Sequence, residues 1–108
     1  MALRSAKYGY FGKNARMTSY EISHDENAHQ FGTTVDGCAC ELDYRLANRV
    51  MTITHTCVPQ RLEGRGIAAE MTRVALETAR ARRWKVVAAC SYAAAYLGRH
   101  PEYSDLTR

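Results

Sequence analysis

Residues 50–67 read VMTITHTCVPQRLEGRGI. The stretch begins as an apolar alternating run, breaks at Pro59, passes through Arg61-x-x-Gly64-x-Gly66 and enters a helix-forming segment without a spacer. A strand that feeds a glycine-bearing turn and then a helix N-terminus aims several backbone N–H groups at one point, with the positive end of the helix dipole behind them. Gly64 and Gly66 permit the φ angles and the close approach that such a turn needs. The stretch therefore predicts an anion cradle, in which the backbone N–H groups from Leu62 to Ile67 converge on a pyrophosphate. Arg61 and Arg65 add positive charge beside it, and the planar fork of Arg65 suits a phosphate.

Working outward from this turn, Tyr20–His24 and Gln30–Val35 read as two short strands around the polar turn Asp25-Glu26-Asn27, and Asp36-Gly37 marks a tight hairpin. Cys38, Cys40, Leu42 and Tyr44 then alternate with Ala39, Glu41, Asp43 and Arg45, the pattern of a half-buried strand. Ala47-Asn48-Arg49 turns the chain into a fourth strand, Val50–Val58. Beyond Pro59 the period lengthens. Ile67, Met71, Val74, Ala75, Thr78 and Ala79 recur at three and four, which predicts an amphipathic helix of roughly 16 residues. Trp84–Ala88 is a short strand, and the strand-helix-strand passage predicts a parallel, right-handed crossover onto the fourth strand. A second helix runs from Cys90-Ser91 to about Gly98 with Ser91 as its cap, and Pro101 leaves residues 102–106 as a terminal turn or packed tail. The fold class is α+β: a mixed, mostly antiparallel sheet with one long and one short helix.

Both helices begin at the same end of the sheet, where the fourth and fifth strands leave each other. Ligands of open α/β sheets bind at such a parting. Splaying strands expose backbone groups of Thr56, Cys57 and Val58, and a ligand bearing amides can pair with them as a pseudo-strand.

The chain has 108 residues, enough for one domain with a small core and too few for a dinucleotide-binding sheet with a substrate domain. The sequence shows no run of about 20 apolar residues and no apolar signal core at the N-terminus, so a cytoplasmic location is expected. Of the 15 Lys/Arg that give the formal charge of +4, Arg4, Lys7, Lys13 and Arg16 precede Met17 in a stretch with no acid, and the other eleven balance 11 Asp/Glu. The body is neutral, which argues against nucleic acid as the partner. Residues 1–16 are expected to form a basic extension, loosely ordered, added as an edge strand or serving as a basic tail; residues 17–108 form the domain. Four cysteines, Cys38, Cys40, Cys57 and Cys90, are too sparse for a disulfide scaffold, and no paired C-x2-C spacing points to a metal.

Arg61-x-x-Gly64-x-Gly66 before a helix resembles the acetyl-CoA pyrophosphate signature of the GNAT acetyltransferase superfamily. His55–Pro59, Gly64-Arg65-Gly66-Ile67-Ala68, Cys90-Ser91-Tyr92 and Tyr96-Leu97-x-Arg99-His100-Pro101-Glu102-Tyr103 together resemble its small YjdJ-type, acetyl-CoA-binding subfamily, over roughly residues 20–106. The resemblance implies a trimmed acyl-CoA N-acyltransferase fold that lacks the early substrate-covering helices and the last strands of full-size members. It implies acetyl-CoA as cosubstrate and an acceptor amine of unassigned identity. The implied cofactor residues are Cys57, Val58, Arg61, Leu62, Gly64, Arg65, Gly66, Ile67 and Ala68. Ala88 stands where the subfamily commonly has proline, which loosens the aim of Cys90.

Three residues are candidates for chemistry. Cys90 falls between a strand end and a helix start, where the helix field favours a thiolate; it reads either as a small buried hydrophobe or as a thiol near the thioester. His55 lies in phase with Met51 and Ile53 and reads either as a structural histidine or as a general base. Tyr96 resembles, by its distance before His100-Pro101, the tyrosine that larger relatives place beside the CoA sulfur as a general acid, although Tyr92 is on the same helix and one of the two must pack on the sheet. Glu41, Asp43 and Glu63 read as an acidic border for an amine or as ordinary solvated residues. The function expected is N-acetyl transfer to an amine, with a non-catalytic CoA-binding module as the alternative, in a monomer or a weak homodimer paired through a sheet edge.

Overall fold

The computed structural model describes residues 20–108; the basic extension expected over residues 1–16 lies outside the described residues. One five-stranded sheet in the order β1-β2-β3-β4-β5 carries the fold. Its strands are β1 (Ser23–Asp25), β2 (Gln30–Val35), β3 (Cys38–Ala47), β4 (Val50–Cys57) and β5 (Lys85–Ala88). The first three pairings are antiparallel and the last is parallel. Helix α1 (Ile67–Arg82) makes the crossover from β4 to β5, α2 (Ser91–Arg99) follows β5, and a 3-10 helix (Pro101–Thr107) ends the chain.

The turns follow from local chemistry. Asp36 and Gly37 both have positive φ, 51° and 77°, as do Asn48 and Arg49, 53° and 64°. Two consecutive positive φ angles match the right-handed twist of the strands they join. Strand β1 is shorter than the sequence predicts because Tyr20 leaves the sheet edge: its hydroxyl donates to the backbone oxygen of Arg65 at 2.9 Å. Helix α1 stops at Arg83, which adopts φ 61° while the N–H of Trp84 reaches back to the oxygen of Ala79 at 2.8 Å. This is a Schellman closure with arginine in the place glycine usually takes.

The core lies on one face of the sheet. Phe31, Leu42, Met51 and Ile53 meet Ile67, Met71, Ala75, Leu76 and Ala79 of α1 and Ala93 and Tyr96 of α2, all nearly or fully buried. The tail is packed, with Tyr103 and Leu106 buried. Helical repeats of apolar residues and strand alternation thus agree on a single two-layer core.

A bulge sets the phase of the functional end of β4. Tyr44 pairs with Ile53 but Asp43 pairs with His55, leaving Thr54 as an extra residue on β4. An extra residue turns every side chain beyond it to the other face. Thr56 pairs with the buried Leu42 and so joins the helix-covered face, while His55 and Cys57 pair with Asp43 and Glu41 on the open face and are exposed. The expected phase of His55 with Met51 and Ile53 is therefore corrected: the bulge separates them.

Candidate active site

Pairing between β4 and β5 ends at Ile53 and Ala88, with a last bond from the N–H of Ala89 to the oxygen of Ile53 at 2.9 Å. Beyond it β4 continues to Cys57 while the chain after β5 turns into α2. Below this parting lies a cleft of ≈ 470 Å³ lined by Thr56, Val58, Leu62, Glu63, Gly64, Gly66, Ile67, Ala68, Ala69 and Tyr92. Its size fits a small-molecule site. Its walls are the free end of β4, the turn into α1 and the first turn of α2.

The turn has the conformation a cradle requires. Gly64 and Gly66 have φ of 86° and 81°. A Cβ placed on either glycine meets no atom within 4 Å. Gly66 is the N-cap of α1 and no side chain caps the helix, whose first backbone bond runs from the N–H of Glu70 to the oxygen of Gly66 at 3.0 Å. The N–H groups of Ile67, Ala68 and Ala69, which precede that bond, thus face an open, glycine-walled space. Unsatisfied donors at the positive end of a 16-residue helix suit an anion.

The two arginines are held differently from the expected flanking arrangement. Arg65 forms an ion pair with Asp36 at 2.9 Å, and Arg61 donates to the backbone oxygen of Asp36 at 3.3 Å. Both guanidinium groups thus lie against the β2–β3 turn, and the pair is exposed on both sides. Such exposed pairs are worth about 0–1 kcal/mol, so a phosphate can compete for either arginine.

Cys90 does not itself line the cleft; it is half-buried behind Thr56 and serves as the N-cap of α2, its sulfur accepting from the N–H of Ala93 at 3.4 Å. The expected cap, Ser91, is instead the first residue of the helix. The Thr56 hydroxyl lies 3.7 Å from the Cys90 sulfur across the parting strands.

The two helical tyrosines are placed differently from the sequence expectation. Tyr96 is buried in the core at 5% exposure, stacked on His100 with ring centres 3.9 Å apart and tilted against Tyr103. It does not line the cleft, whereas Tyr92 does. Burial pushes the Tyr92 phenol above its ordinary pKa, with the nearby Arg99 opposing. The phenol stays protonated at neutral pH and can donate.

Of the sequence-predicted cofactor residues, Val58, Leu62, Gly64, Gly66, Ile67 and Ala68 line the cleft, while Arg61 and Arg65 lie beside it and Cys57 faces the open side of the sheet. Thr56, Glu63, Ala69 and Tyr92 complete the lining; the sequence offered Thr56 only by its backbone, Glu63 as an acidic border and Tyr92 as the alternative to Tyr96, and did not single out Ala69. Thr56 was hidden by the bulge; Tyr92 carries a signal, since it follows Cys90 by two residues in the first helical turn.

The sequence matches the family described as GCN5-related N-acetyl-transferase over residues 30–106, a span that holds every element just named. The chain belongs to this family. Protein NATD1 of Gallus gallus is 30% identical over 84 residues, covering 75% of this chain and 76% of that protein. Protein NATD1 of Mus musculus is 30% identical over 83 residues, covering 74% and 76%. The solution structure of a GCN5-like protein from Staphylococcus aureus superimposes with a TM-score of 0.66 at 30% identity, covering 83% of this chain and 89% of that one. The GCN5-related fold, a mixed five-stranded sheet with its helices, is thereby established, and the parting of β4 and β5 is the family member's candidate site. Among the described residues no helix is long and apolar enough to cross a membrane.

Proposed function

We propose that the protein is a small acetyl-CoA-dependent N-acetyltransferase of the YjdJ type, acting in the cytoplasm as a monomer or weak homodimer on an amine. The observation that carries the reading is the uncapped N-terminus of α1 facing the open space over Gly64 and Gly66. The residues present fit the cosubstrate. Backbone N–H groups of Gly66–Ala69 hold a diphosphate, with Arg65 released from Asp36 to meet it. Val58 and the unpaired backbone of Thr56–Cys57 line the pantetheine arm, which adds to β4 where β5 has left. The acyl end then lies by Thr56, Cys90 and Tyr92.

The reaction needs a deprotonated amine, a stabilised oxyanion and a protonated leaving thiolate. Donors at the strand parting polarise the thioester carbonyl. Tyr92, whose phenol is protonated at neutral pH, donates to the departing CoA sulfur. The amine approaches from the open face of the sheet, where the bulge has turned His55 outward; His55 accepts its proton there. Cys90 borders the acyl group and either takes it transiently or orients the amine. Fixing both reactants in one gap supplies much of the rate.

Incubation with acetyl-CoA and a panel of amines, with thiol release as the readout, tests the proposal. Turnover is expected that falls at least tenfold in His55→Ala while CoA affinity, measured by calorimetry, stays within about twofold. Tight binding of acetyl-CoA with no amine-dependent thiol release would mean a non-catalytic CoA-binding module. No binding at all would remove the enzymatic account.

A further inference from the structure

We infer that Thr56 is a positioning residue for the Cys90 thiol, a role that deepens the proposed acyl-transfer reading and rests on it for its biological use. Three observations meet at this pair. The bulge between Ile53 and His55 places Thr56 rather than His55 on the cleft face of β4. The Thr56 hydroxyl is 3.7 Å from the Cys90 sulfur, bridging strands whose backbone pairing has already ended at Ile53 and Ala88. The same sulfur accepts from the N–H of Ala93 at 3.4 Å, so it is held from two directions, one on α2 and one on β4.

A hydroxyl is suited to this place because it both donates and accepts. It accepts from the Cys90 S–H when the thiol is protonated and donates to the sulfur when it is not, so the pair survives loss of the proton. The N–H of Ala93 can only donate. Thr56 therefore holds the sulfur at the parting of β4 and β5 in both states. Valine has the shape of threonine without the hydroxyl; serine has the hydroxyl without the methyl.

Ligand-free protein is treated with iodoacetamide at neutral pH, and alkylation is followed separately at Cys90 and Cys57 by peptide mass. Cys57 is exposed on the opposite face and serves as the internal reference. A hydrogen bond of ordinary strength holds the sulfur in the aimed position about fivefold more of the time, and alkylation reads that positioning. Thr56→Val is expected to lower the Cys90-to-Cys57 rate ratio about fivefold, and Thr56→Ser to restore it to within about twofold. An unchanged ratio in Thr56→Val, or a loss in Thr56→Ser equal to that in Thr56→Val, overturns the inference. Thermal melts of both variants accompany the rates; if Thr56→Val melts more than a few degrees lower, the Ser variant alone decides, because a packing role predicts loss and a hydroxyl role predicts retention. No coenzyme is used, so failure of CoA binding would sink the proposed function while leaving this result standing.

Discussion

Replacing Gly66 by alanine perturbs the cradle twice, and the two effects can be separated. Gly66 has φ 81°, a left-handed conformation that costs an L-residue about 1–2 kcal/mol. The new Cβ meets no protein atom within 4 Å, so steric overlap adds nothing. Strain of about 1 kcal/mol lowers the melting temperature of a domain this size by about 4–8 °C. The methyl group also occupies the space over the α1 N-terminus, where the diphosphate has to approach. Losing one charge-assisted hydrogen bond, worth about 1.5–3 kcal/mol, weakens CoA by about tenfold or more. Gly37 supplies the control: its φ is 77° and a Cβ there also meets nothing within 4 Å, but it sits in the β2–β3 turn outside the cleft lining. Gly37→Ala and Gly66→Ala are expected to lose similar stability in thermal denaturation, while only Gly66→Ala loses CoA affinity in calorimetric titration. If Gly66→Ala binds CoA within about twofold of the parent, or if both variants weaken binding equally, the backbone cradle is not where the diphosphate sits.

Two further expectations concern stability. Arg83→Gly removes the positive-φ strain at the end of α1; the gain, net of the freer unfolded chain, is about 0.5 kcal/mol in urea denaturation, and an unchanged or lower midpoint would refute it. Tyr103 donates to Glu77 at 2.6 Å, and burial first, then this bond, hold its phenol pKa well above the ordinary value near 10. A raised pKa means the unfolded chain ionises first, so the stabilisation is complete below pH ~10 and is lost as pH climbs from there toward the folded value. Unfolding free energy is expected to fall above pH ~10, less steeply in Tyr103→Phe, and parallel pH profiles for the two proteins would refute the assignment.

Much of the fold was legible because it rests on local chemistry. Asp36-Gly37 announces a hairpin, the change of period after Pro59 announces a helix, and a strand-helix-strand run announces a parallel crossover. The glycine turn into α1 was legible for the same reason. The bulge was not. It contains neither glycine nor proline, and counting in twos along Val50–Cys57 gives the same pattern with or without an extra Thr54, so the count put His55 inside and Thr56 outside. Tyr92 and Tyr96 are four residues apart and share a helix face; which of them enters the core is decided by His100 and Tyr103, which close over Tyr96. The arginines of the turn were placed by charge alone, and their actual partner, Asp36, lies 29 residues from Arg65. What failed for the arginines was a contact between distant parts of the chain, and for the tyrosines the way the tail after α2 folds back on the helix.

The bulge also bears on the proposed reaction, in which two reactants need separate approaches. Were Thr54 paired regularly across from Asp43 instead of bulged, the end of β4 would turn His55 and Cys57 toward the helices and Thr56 toward solvent. The bulge reverses this order. The helix-covered side then presents the Thr56 hydroxyl and the Tyr92 phenol, with the Cys90 sulfur against Thr56. The open side presents the imidazole paired across strands with Asp43, beside Glu41 and Cys57, and in the proposed reaction the amine arrives there. On that proposal the bulge separates anion binding from proton removal, at the place where β4 loses its parallel neighbour.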